Sequence, residues 1–167
     1  NTVKYSFDPV GNGTRLTNEN GKNWDYLFDW AGRVTKATLP DTTTAFNYYD
    51  GVGNLTRPTD GNSNHVNYAY DTLYRLTQRT FADSSTVALF YDSRGRRTQM
   101  TDATGDWTFA YDDIGRLTRT IQPPSNRTID FYYNAVGNRT KMVNPDNGAT
   151  TFDYDAGFRM TRVTNAS

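Results

Sequence analysis

Tyr111-Asp112-Asp113-Ile114-Gly115-Arg116-Leu117-Thr118 is one of eight similar stretches in this chain of 167 residues. The Asp of this stretch is taken as position 0, and successive copies of it are separated by 21, 21, 21, 21, 20, 22 and 21 residues. Position 0 is held by Asp8, Asp29, Asp50, Asp71, Asp92, Asp112, Asn134 and Asp155. Self-similarity at a fixed period is typical of repeat architectures, so this repeat decides the fold.

Four further positions recur around this residue, and together they form the predicted structural repeat motif. Position −1 is always aromatic: Phe7, Phe28, Tyr49, Tyr70, Tyr91, Tyr111, Tyr133 and Tyr154. Position +6 is always threonine: Thr14, Thr35, Thr56, Thr77, Thr98, Thr118, Thr140 and Thr161. Position +3 is mostly glycine: Gly11, Gly32, Gly53, Gly95, Gly115 and Gly137. Position +4 is Arg or Asn, and its arginines are Arg33, Arg75, Arg96, Arg116 and Arg159.

These spacings predict a β-hairpin in every unit. Most units carry a second large apolar residue two positions before the ring, which places both side chains on one face of a strand. The Asp and the Gly then form a tight turn, because the carboxylate accepts backbone hydrogen bonds and the glycine adopts positive φ. Asn47 interrupts the apolar column, so we expect a bulge or a slipped side chain there. Tyr74 and Phe158 replace the glycine, so we expect their turns to differ in shape.

The chain is therefore predicted to be all-β, with tandem 21-residue hairpins that form one long, strongly curved antiparallel sheet. No apolar period of 3.6 residues is sustained, so we expect essentially no helix and about sixteen short strands. A single twisted sheet of that width rarely stays flat. A basic column recurs at position +7, but the apolar and polar residues of the second strand do not alternate cleanly enough to assign its face.

Composition excludes several classes of function. Lys and Arg number 18 and Asp and Glu number 18, and this zero net charge argues against nucleic-acid binding. The chain has no cysteine, so neither disulfides nor thiolate metal ligands are available, and we expect no cofactor. The sequence contains no apolar run long enough to span a membrane, and its first residues lack the basic stretch and apolar core that we would expect of a signal peptide.

The motif resembles the YD repeat of RHS proteins, which is seen most clearly in Phe28–Thr35, Tyr91–Thr98 and Tyr111–Thr118. This family includes bacterial polymorphic toxins, wall-associated proteins, cocoon-forming subunits of insecticidal toxin complexes, and teneurins. The resemblance implies a spiral β-sheet that builds a hollow shell, and in bacterial members the shell encloses a toxic C-terminal domain. It also implies secretion or display at the cell surface. We interpret residues 1–167 as a single YD-repeat region of eight repeats, a segment of a larger protein.

Two local patterns invite a chemical interpretation, but each has a structural alternative that we prefer. Asp8-Pro9-Val10-Gly11 resembles the motif at which RHS shells cleave themselves, yet it is in register with the other turns. Asp60-Gly61-Asn62-Ser63-Asn64 resembles the start of a calcium loop, but His65 stands where glycine is needed. His65 is the only histidine, and spacing indicates no nucleophile beside it. We therefore predict that the protein is not an enzyme.

Three functions remain open on the sequence alone. The first is a structural shell segment that helps to encapsulate a toxin or other C-terminal cargo. The second is a cell-surface carbohydrate-binding or adhesive repeat, and the third is a subunit of a self-assembling β fibre or tube. The partners expected are further YD repeats of the same parent chain, other copies paired through sheet edges, an enclosed toxin domain, or a glycan.

Overall fold

The computed structural model describes residues 2–166, which form sixteen strands and no helix. The first eight strands are β1 (Lys4–Phe7), β2 (Gly13–Thr17), β3 (Asn23–Phe28), β4 (Val34–Thr38), β5 (Thr44–Tyr49), β6 (Leu55–Thr59), β7 (Val66–Tyr70) and β8 (Leu76–Phe81). The others are β9 (Thr86–Tyr91), β10 (Arg97–Asp102), β11 (Gly105–Tyr111), β12 (Leu117–Gln122), β13 (Arg127–Tyr133), β14 (Arg139–Val143), β15 (Ala149–Tyr154) and β16 (Met160–Ala166). The all-β prediction of tandem antiparallel hairpins is confirmed.

The chain divides into two compact halves, the N-terminal half ending at Thr86 and the C-terminal half beginning at Val87. In the N-terminal half, β1 to β6 are hydrogen-bonded in sequence order, and β7 and β8 form a further hairpin. In the C-terminal half, β9 to β16 are also paired in sequence order. Apart from β6 and β7, strands that are neighbours in these sequences are neighbours in the ladder, as the hairpin repeat predicts.

All eight repeat hairpins contain the same β-bulge. Position −1 pairs with +5 and position −2 pairs with +7, so the threonine at +6 is the extra residue. In the hairpin β11–β12, Tyr111 pairs with Leu117 and Ala110 pairs with Arg119, which leaves Thr118 between them. The invariant threonine is thus the bulged residue of each hairpin. It belongs to the pairing of the two strands and not to the turn that connects them.

Asn47 causes no additional bulge, so that prediction was wrong. In the hairpin β5–β6, Tyr49 pairs with Leu55 and Tyr48 pairs with Arg57, which is the register of every other unit. The Asn47 amide instead donates to the Val34 carbonyl oxygen at 3.1 Å. Because the amide finds a backbone acceptor, the strand keeps its register with a polar side chain at this position.

The sheet of the N-terminal half is interrupted after β6, where the sequence predicted a continuous sheet. Between β6 and β7 only an isolated bridge joins Thr59 to His65. Pro58 lies at position +8, where Ala37 of the preceding unit pairs with Ala45. Because proline has no backbone N–H, it cannot donate the corresponding ladder hydrogen bond.

The registers divide the side chains between two faces of the sheet. The aromatic face carries positions −1, −3 and +8, and the basic face carries positions −2, −4 and +7. Cross-strand pairs such as Arg15 with Asp25 and Arg119 with Asp130 place the +7 column on the basic face. Of the described hydrophobic residues only Leu89, at 6% exposure, is buried. The rings of the aromatic face are mostly half-buried, so packing along the sheet supplies most of the apolar contact.

Candidate functional site

The repeated turn has one hydrogen-bond pattern in all eight units. In the sixth unit the Asp112 N–H donates to the Arg116 carbonyl at 2.9 Å, and the Gly115 N–H donates to the Asp112 carbonyl at 3.0 Å. Gly115 has a φ of +92°, in the left-handed region that a three-residue hairpin loop requires. The predicted association of Asp, Gly and a tight reversal is therefore observed.

The Asp side chain closes the turn from inside. Asp112 Oδ1 accepts the N–H of Ile114 at 3.2 Å and that of Arg116 at 2.8 Å, while Oδ2 accepts Arg116 Nε at 2.6 Å. Where position 0 is Asp and position +4 is Asn, an amide replaces the guanidinium, as in the 2.8 Å bond from Asn54 Nδ2 to Asp50 Oδ2. In these units both residue types at +4 satisfy the same carboxylate oxygen, which explains why either is found there. In the seventh unit position 0 is Asn134, and Asn138 Nδ2 makes no hydrogen bond within the described residues.

These contacts lower the pKa of the turn carboxylates. The pKa of Asp29 is lowered chiefly by the hydrogen bond from the Arg33 side chain. For Asp92 and Asp155 the largest cause is the backbone N–H of Arg96 and Arg159. The ionised Asp is therefore the form that the turn requires.

Tyr74 and Phe158 adopt the turn that glycine forms in the other units, so the prediction of a different shape was wrong. Their φ values are +60° and +61°, and each N–H donates to the carbonyl of its Asp, at 3.0 Å and 2.9 Å. Gly157 does not take over the left-handed position, because its N–H donates to Asp155 Oδ1 instead. The hydrogen bonds of the turn hold two bulky residues in a conformation that they disfavour.

Where position −1 is tyrosine, its hydroxyl links the unit to the one before it. Tyr133 Oη donates to the Leu117 carbonyl oxygen at 2.8 Å, across the boundary between two hairpins. The acceptor is always the residue at position +5 of the preceding unit. The other bonds of this kind run from Tyr49 to Val34, Tyr70 to Leu55, Tyr111 to Arg97, and Tyr154 to Arg139.

The arginine of position +4 forms a second link, towards the following unit. Arg116 Nη1 donates to the Asn134 carbonyl at 2.9 Å, and its guanidinium lies 4.8 Å from the centroid of the Tyr133 ring. Arg96 makes the same pair of contacts, with Asp112 and with Tyr111. The Tyr and Arg contacts, together called the inter-unit clasp, join a unit to its neighbours wherever the motif supplies Tyr at position −1 or Arg at position +4.

The bulged threonine completes the repeat within its own hairpin. Thr56 Oγ1 donates to the Tyr48 carbonyl at 3.1 Å, and Thr35 and Thr77 make the equivalent bond to position −2. A bulge disrupts the local ladder, so a hydroxyl that reaches this carbonyl supplies a hydrogen bond there. The sequence shows the threonine column, but not this function, because the bulge depends on pairing between two strands.

The residues 49–167 match the family model of the teneurin YD-shell. The chain belongs to the teneurin YD-shell family. This match covers more than half of the chain, and the predicted membership of the RHS and YD-repeat group is confirmed. Among curated protein sequences, none matched this YD-shell chain.

Solved structures show the same fold over nearly the whole YD-shell chain. The Photorhabdus luminescens Tc holotoxin pore aligns with a TM-score of 0.77 at 19% identity, covering 98% of this chain and 10% of that one. The TcdB2-TccC3 complex without its hypervariable C-terminal region aligns with a TM-score of 0.78, with the same identity and coverage. The YD-shell chain thus spans about a tenth of the length of these structures, and at this identity the likeness concerns the fold.

The edge of the YD-shell hairpins opposite the motif uses the same turn geometry, which the sequence did not predict. Five connecting turns repeat the two backbone bonds of the motif turn: Asn18–Lys22, Leu39–Thr43, Asp60–Asn64, Phe81–Ser85 and Asn144–Gly148. Thr42, Ser63, Ser84 and Asn147 hold the positive φ in four of them. The varied residues of these turns concealed the common geometry, because only one of the five has glycine at that position.

The two chemical candidates prove to be turns. Asp8 Oδ1 and Oδ2 accept hydrogen bonds from the backbone and the side chain of Asn12, both at 2.8 Å. Asp60 makes the same contacts with Asn64, at 2.9 and 3.0 Å, so both of its oxygens are already engaged. Within residues 2–166 no group of three His, Asp or Glu side chains is placed to hold a metal ion. The same residues form no helix that could cross a membrane.

The tips of the motif turns carry large apolar residues that face solvent. In the N-terminal half Trp30 is 94% exposed and Val10 is 84% exposed, and Val52, Leu73 and Tyr74 are also exposed. Ile114, Val136 and Phe158 are exposed at the tips of motif turns in the C-terminal half. The turn chemistry does not require these side chains, and rows of exposed apolar residues are typical of contact surfaces.

Proposed function

We propose that this YD-shell chain is one stretch of the wall of a hollow shell, and that the shell encloses a C-terminal cargo domain such as a toxin. The chain is a structural shell segment by family, and its cargo is the part proposed. The parent protein is then longer than this chain and is secreted or displayed at the cell surface. The matched structures are a Tc holotoxin pore and TcdB2-TccC3 complexes, and assemblies of this kind suggest the cargo.

The inter-unit clasp is the observation that carries this proposal. The hydroxyl of Tyr133 donates to an acceptor in the preceding unit, and Nη1 of Arg116 donates to the following unit, where the guanidinium also meets a tyrosine ring. A repeat that completes its hydrogen bonds through neighbours favours extension into a wall, with further YD repeats of the same parent chain as partners.

The use of the motif residues also supports a role without catalysis. The recurring Asp, Arg, Tyr and Thr side chains are each engaged in a turn, a clasp or a bulge, as Asp112, Arg116 and Tyr133 illustrate. The exposed tips at Val10 and Trp30 support contact with other parts of the shell. We therefore propose a structural, non-enzymatic function.

Limited proteolysis of the parent protein tests the enclosure. We expect its C-terminal domain to resist a protease that digests the same domain expressed alone. Replacing Gly32 and Gly53 by valine strains two turns of the wall, since both glycines have positive φ, and we expect the protected domain to become cleavable. A parent with no domain beyond its repeats, or a C-terminal domain digested equally fast in both settings, contradicts the proposal.

A further inference from the structure

The junction between the first and second units lacks a contact that the junction between the sixth and seventh units contains. At this sixth junction, Arg116 holds position +4 and binds the Asn134 carbonyl and the Tyr133 ring of the following unit. At the first junction position +4 is Asn12, whose Nδ2 donates to Asp8 Oδ2 at 2.8 Å within its own turn. The place that a guanidinium takes at the sixth junction is therefore left open at the first.

The two junctions have the same backbone register, so the difference lies in the side chains. In both, position +7 pairs with position −4 of the next unit, as Arg15 does with Asp25 and Arg119 with Asp130. Both of these pairs also form a salt bridge. Because the strands on the two sides are aligned alike, the sixth junction shows which chemical group suits the open place at the first.

A cleft of about 540 Å³ lies at the first junction, and its volume is that of an ordinary ligand site. Its lining comes from the two motif turns and the strands beside them, and includes Asp8, Asn12, Phe28, Asp29, Trp30 and Gly32. We call it the inter-turn cleft. On the side of the second unit it is lined by positions −1 and 0, the two positions that Arg116 contacts at the sixth junction.

Two oxygen atoms of the inter-turn cleft can still accept a hydrogen bond. The Asp29 carbonyl accepts the Gly32 N–H at 3.0 Å, and no side chain of residues 2–166 donates to it. Its counterpart, the Asn134 carbonyl, accepts Arg116 as well. Asn12 Oδ1 faces the next turn, since a Cβ placed on Gly32 would lie 3.4 Å from it, and it accepts no hydrogen bond within the same residues. A guanidinium carries several N–H donors in a fixed fork, which suits two such acceptors.

The charge and the rings of the cleft favour a cation. Two carboxylates line it, and none of its lining residues is Lys or Arg. Asp29 is paired with Arg33 in its own turn, but Asp8 accepts hydrogen bonds from neutral groups only and leaves a net negative charge there. Phe28 holds the ring position that meets the guanidinium at the sixth junction, and the exposed indole of Trp30 adds the ring that attracts cations best.

We propose that the inter-turn cleft binds the guanidinium of an arginine side chain that a partner protein segment presents. The guanidinium donates to the Asp29 carbonyl and to Asn12 Oδ1, and it lies against the rings of Phe28 and Trp30. The partner thereby supplies at the first junction the contact that Arg116 supplies from within the chain at the sixth.

The rim of the cleft indicates that the arginine belongs to a protein. Val10 and Trp30 lie on this rim, and both are almost fully exposed. Exposed apolar side chains beside a polar cleft are typical of protein contact surfaces, and they would cover the chain on either side of the inserted arginine.

The two other junctions with asparagine at position +4 are less suited to a partner. Asn138 Nδ2 is buried, so its junction does not open to solvent in the same way. The junction after Asn54 lies where the ladder between β6 and β7 is reduced to the bridge of Thr59 and His65, so its turns are not held in the register of the sixth junction.

Titration of the ¹⁵N-labelled full chain with acetyl-Gly-Arg-Gly-amide, followed by NMR, tests the proposal. We expect saturable shifts of the Trp30 indole N–H and the Gly32 backbone N–H, while the buried indole N–H of Trp107 keeps its position. The peptide with Lys in place of Arg should bind about threefold more weakly or worse, because an ammonium lacks the planar fork. Peptides with citrulline or norleucine at this place lack the charge and should cause no saturable shift.

Two variants locate the binding site. Asn12→Arg fills the cleft from within, as Arg116 does at its own junction, and should abolish the shifts. The matched control is Asn54→Arg, which adds the same charge two units away and replaces an amide with the same 2.8 Å bond to its turn Asp. This control should bind the peptide at Gly32 as the wild type does. Trp30→Ala, at an exposed residue, should weaken binding about threefold through the loss of one cation–π contact.

Circular dichroism of each variant should match that of the wild type, which separates loss of binding from loss of folding. The proposal is overturned by absence of saturable shifts in the wild type, by equal affinity for the Arg and Lys peptides, or by equal binding to Asn12→Arg and Asn54→Arg. Binding of the norleucine peptide as tightly as the arginine peptide shows a merely apolar surface and also overturns it. Shifts with methylguanidinium and none with the arginine peptide overturn the assignment to a protein segment.

Discussion

Each tyrosine at position −1 places one polar atom where only the neighbouring unit can satisfy it. Tyr133→Phe removes the 2.8 Å hydrogen bond to the Leu117 carbonyl and leaves the ring in place. We expect the free energy of unfolding to fall by about 1 kcal/mol, the usual net value of such a bond. Urea denaturation measures the change. Tyr132→Phe, one residue earlier and on the exposed basic face, is the control and should change the free energy by less than about 0.5 kcal/mol. Equal effects of the two variants contradict the clasp.

The two motif turns that lack glycine at position +3 store strain that a single substitution can relieve. Tyr74 and Phe158 have φ near +60° and are exposed, so their side chains return little packing energy. We expect Tyr74→Gly and Phe158→Gly each to raise the free energy of unfolding by about 1 kcal/mol, since the left-handed region costs an L residue about that much. Thermal denaturation measures this gain. Leu73→Gly, at the preceding turn position, should instead be neutral or destabilising. A destabilised Tyr74→Gly would show that this ring makes contacts worth more than the strain.

At the scale of elements, the break between β6 and β7 leaves the clasp contact of Tyr70 without a continuous backbone ladder beside it. Pro58 lacks the donor that this position supplies elsewhere, yet Tyr70 Oη still reaches the Leu55 carbonyl at 2.8 Å. Burial is the largest cause that raises the pKa of Tyr70, as expected for a hydroxyl held between strands. We infer that Tyr70 adds to the single backbone bridge between Thr59 and His65 in holding β6 to β7.

Replacing Pro58 by alanine should restore the missing ladder bond. Ala37, at the same position of the preceding unit, pairs with Ala45 in an unbroken ladder, so a new N–H at residue 58 has an acceptor opposite it. Hydrogen exchange followed by NMR should find that N–H protected about as well as the N–H of Ala37. We also expect Tyr70→Phe to lower the free energy of unfolding more in the wild type than in the Pro58→Ala variant. In that variant the restored backbone hydrogen bond also holds β6 to β7. An alanine 58 amide that exchanges like an unstructured one shows that proline does not cause the break.

At the scale of the whole molecule, the sequence was sufficient for what each unit contains and insufficient for what passes between units. Alternation around Tyr111 and the Asp112 to Gly115 turn predicts a hairpin, because both signals are local. The bulge at Thr118 and the acceptor of Tyr133 were not predictable, since each depends on register with another strand. The break at Pro58 was also missed, although a proline in a predicted inner strand is itself a signal.

The repetition of one carboxylate contact predicts how the molecule responds to acid. Hydrogen bonds from position +4 help to lower the pKa of seven turn residues: Asp8, Asp29, Asp50, Asp71, Asp92, Asp112 and Asp155. A carboxyl whose pKa is lower in the folded state stabilises the fold above its unfolded pKa of about 3.9, and this stabilisation is lost as the pH falls through the folded value. We therefore expect the midpoint of thermal unfolding, followed by circular dichroism, to be nearly constant from pH 7 to about pH 5 and to fall steeply below about pH 4. Because backbone N–H groups are the largest cause at Asp71, Asp92 and Asp155, 1 M salt at pH 7 should lower the midpoint much less than acid does. A midpoint that rises on acidification, or one that salt lowers as far as acid does, is incompatible with turns held by ionised aspartates.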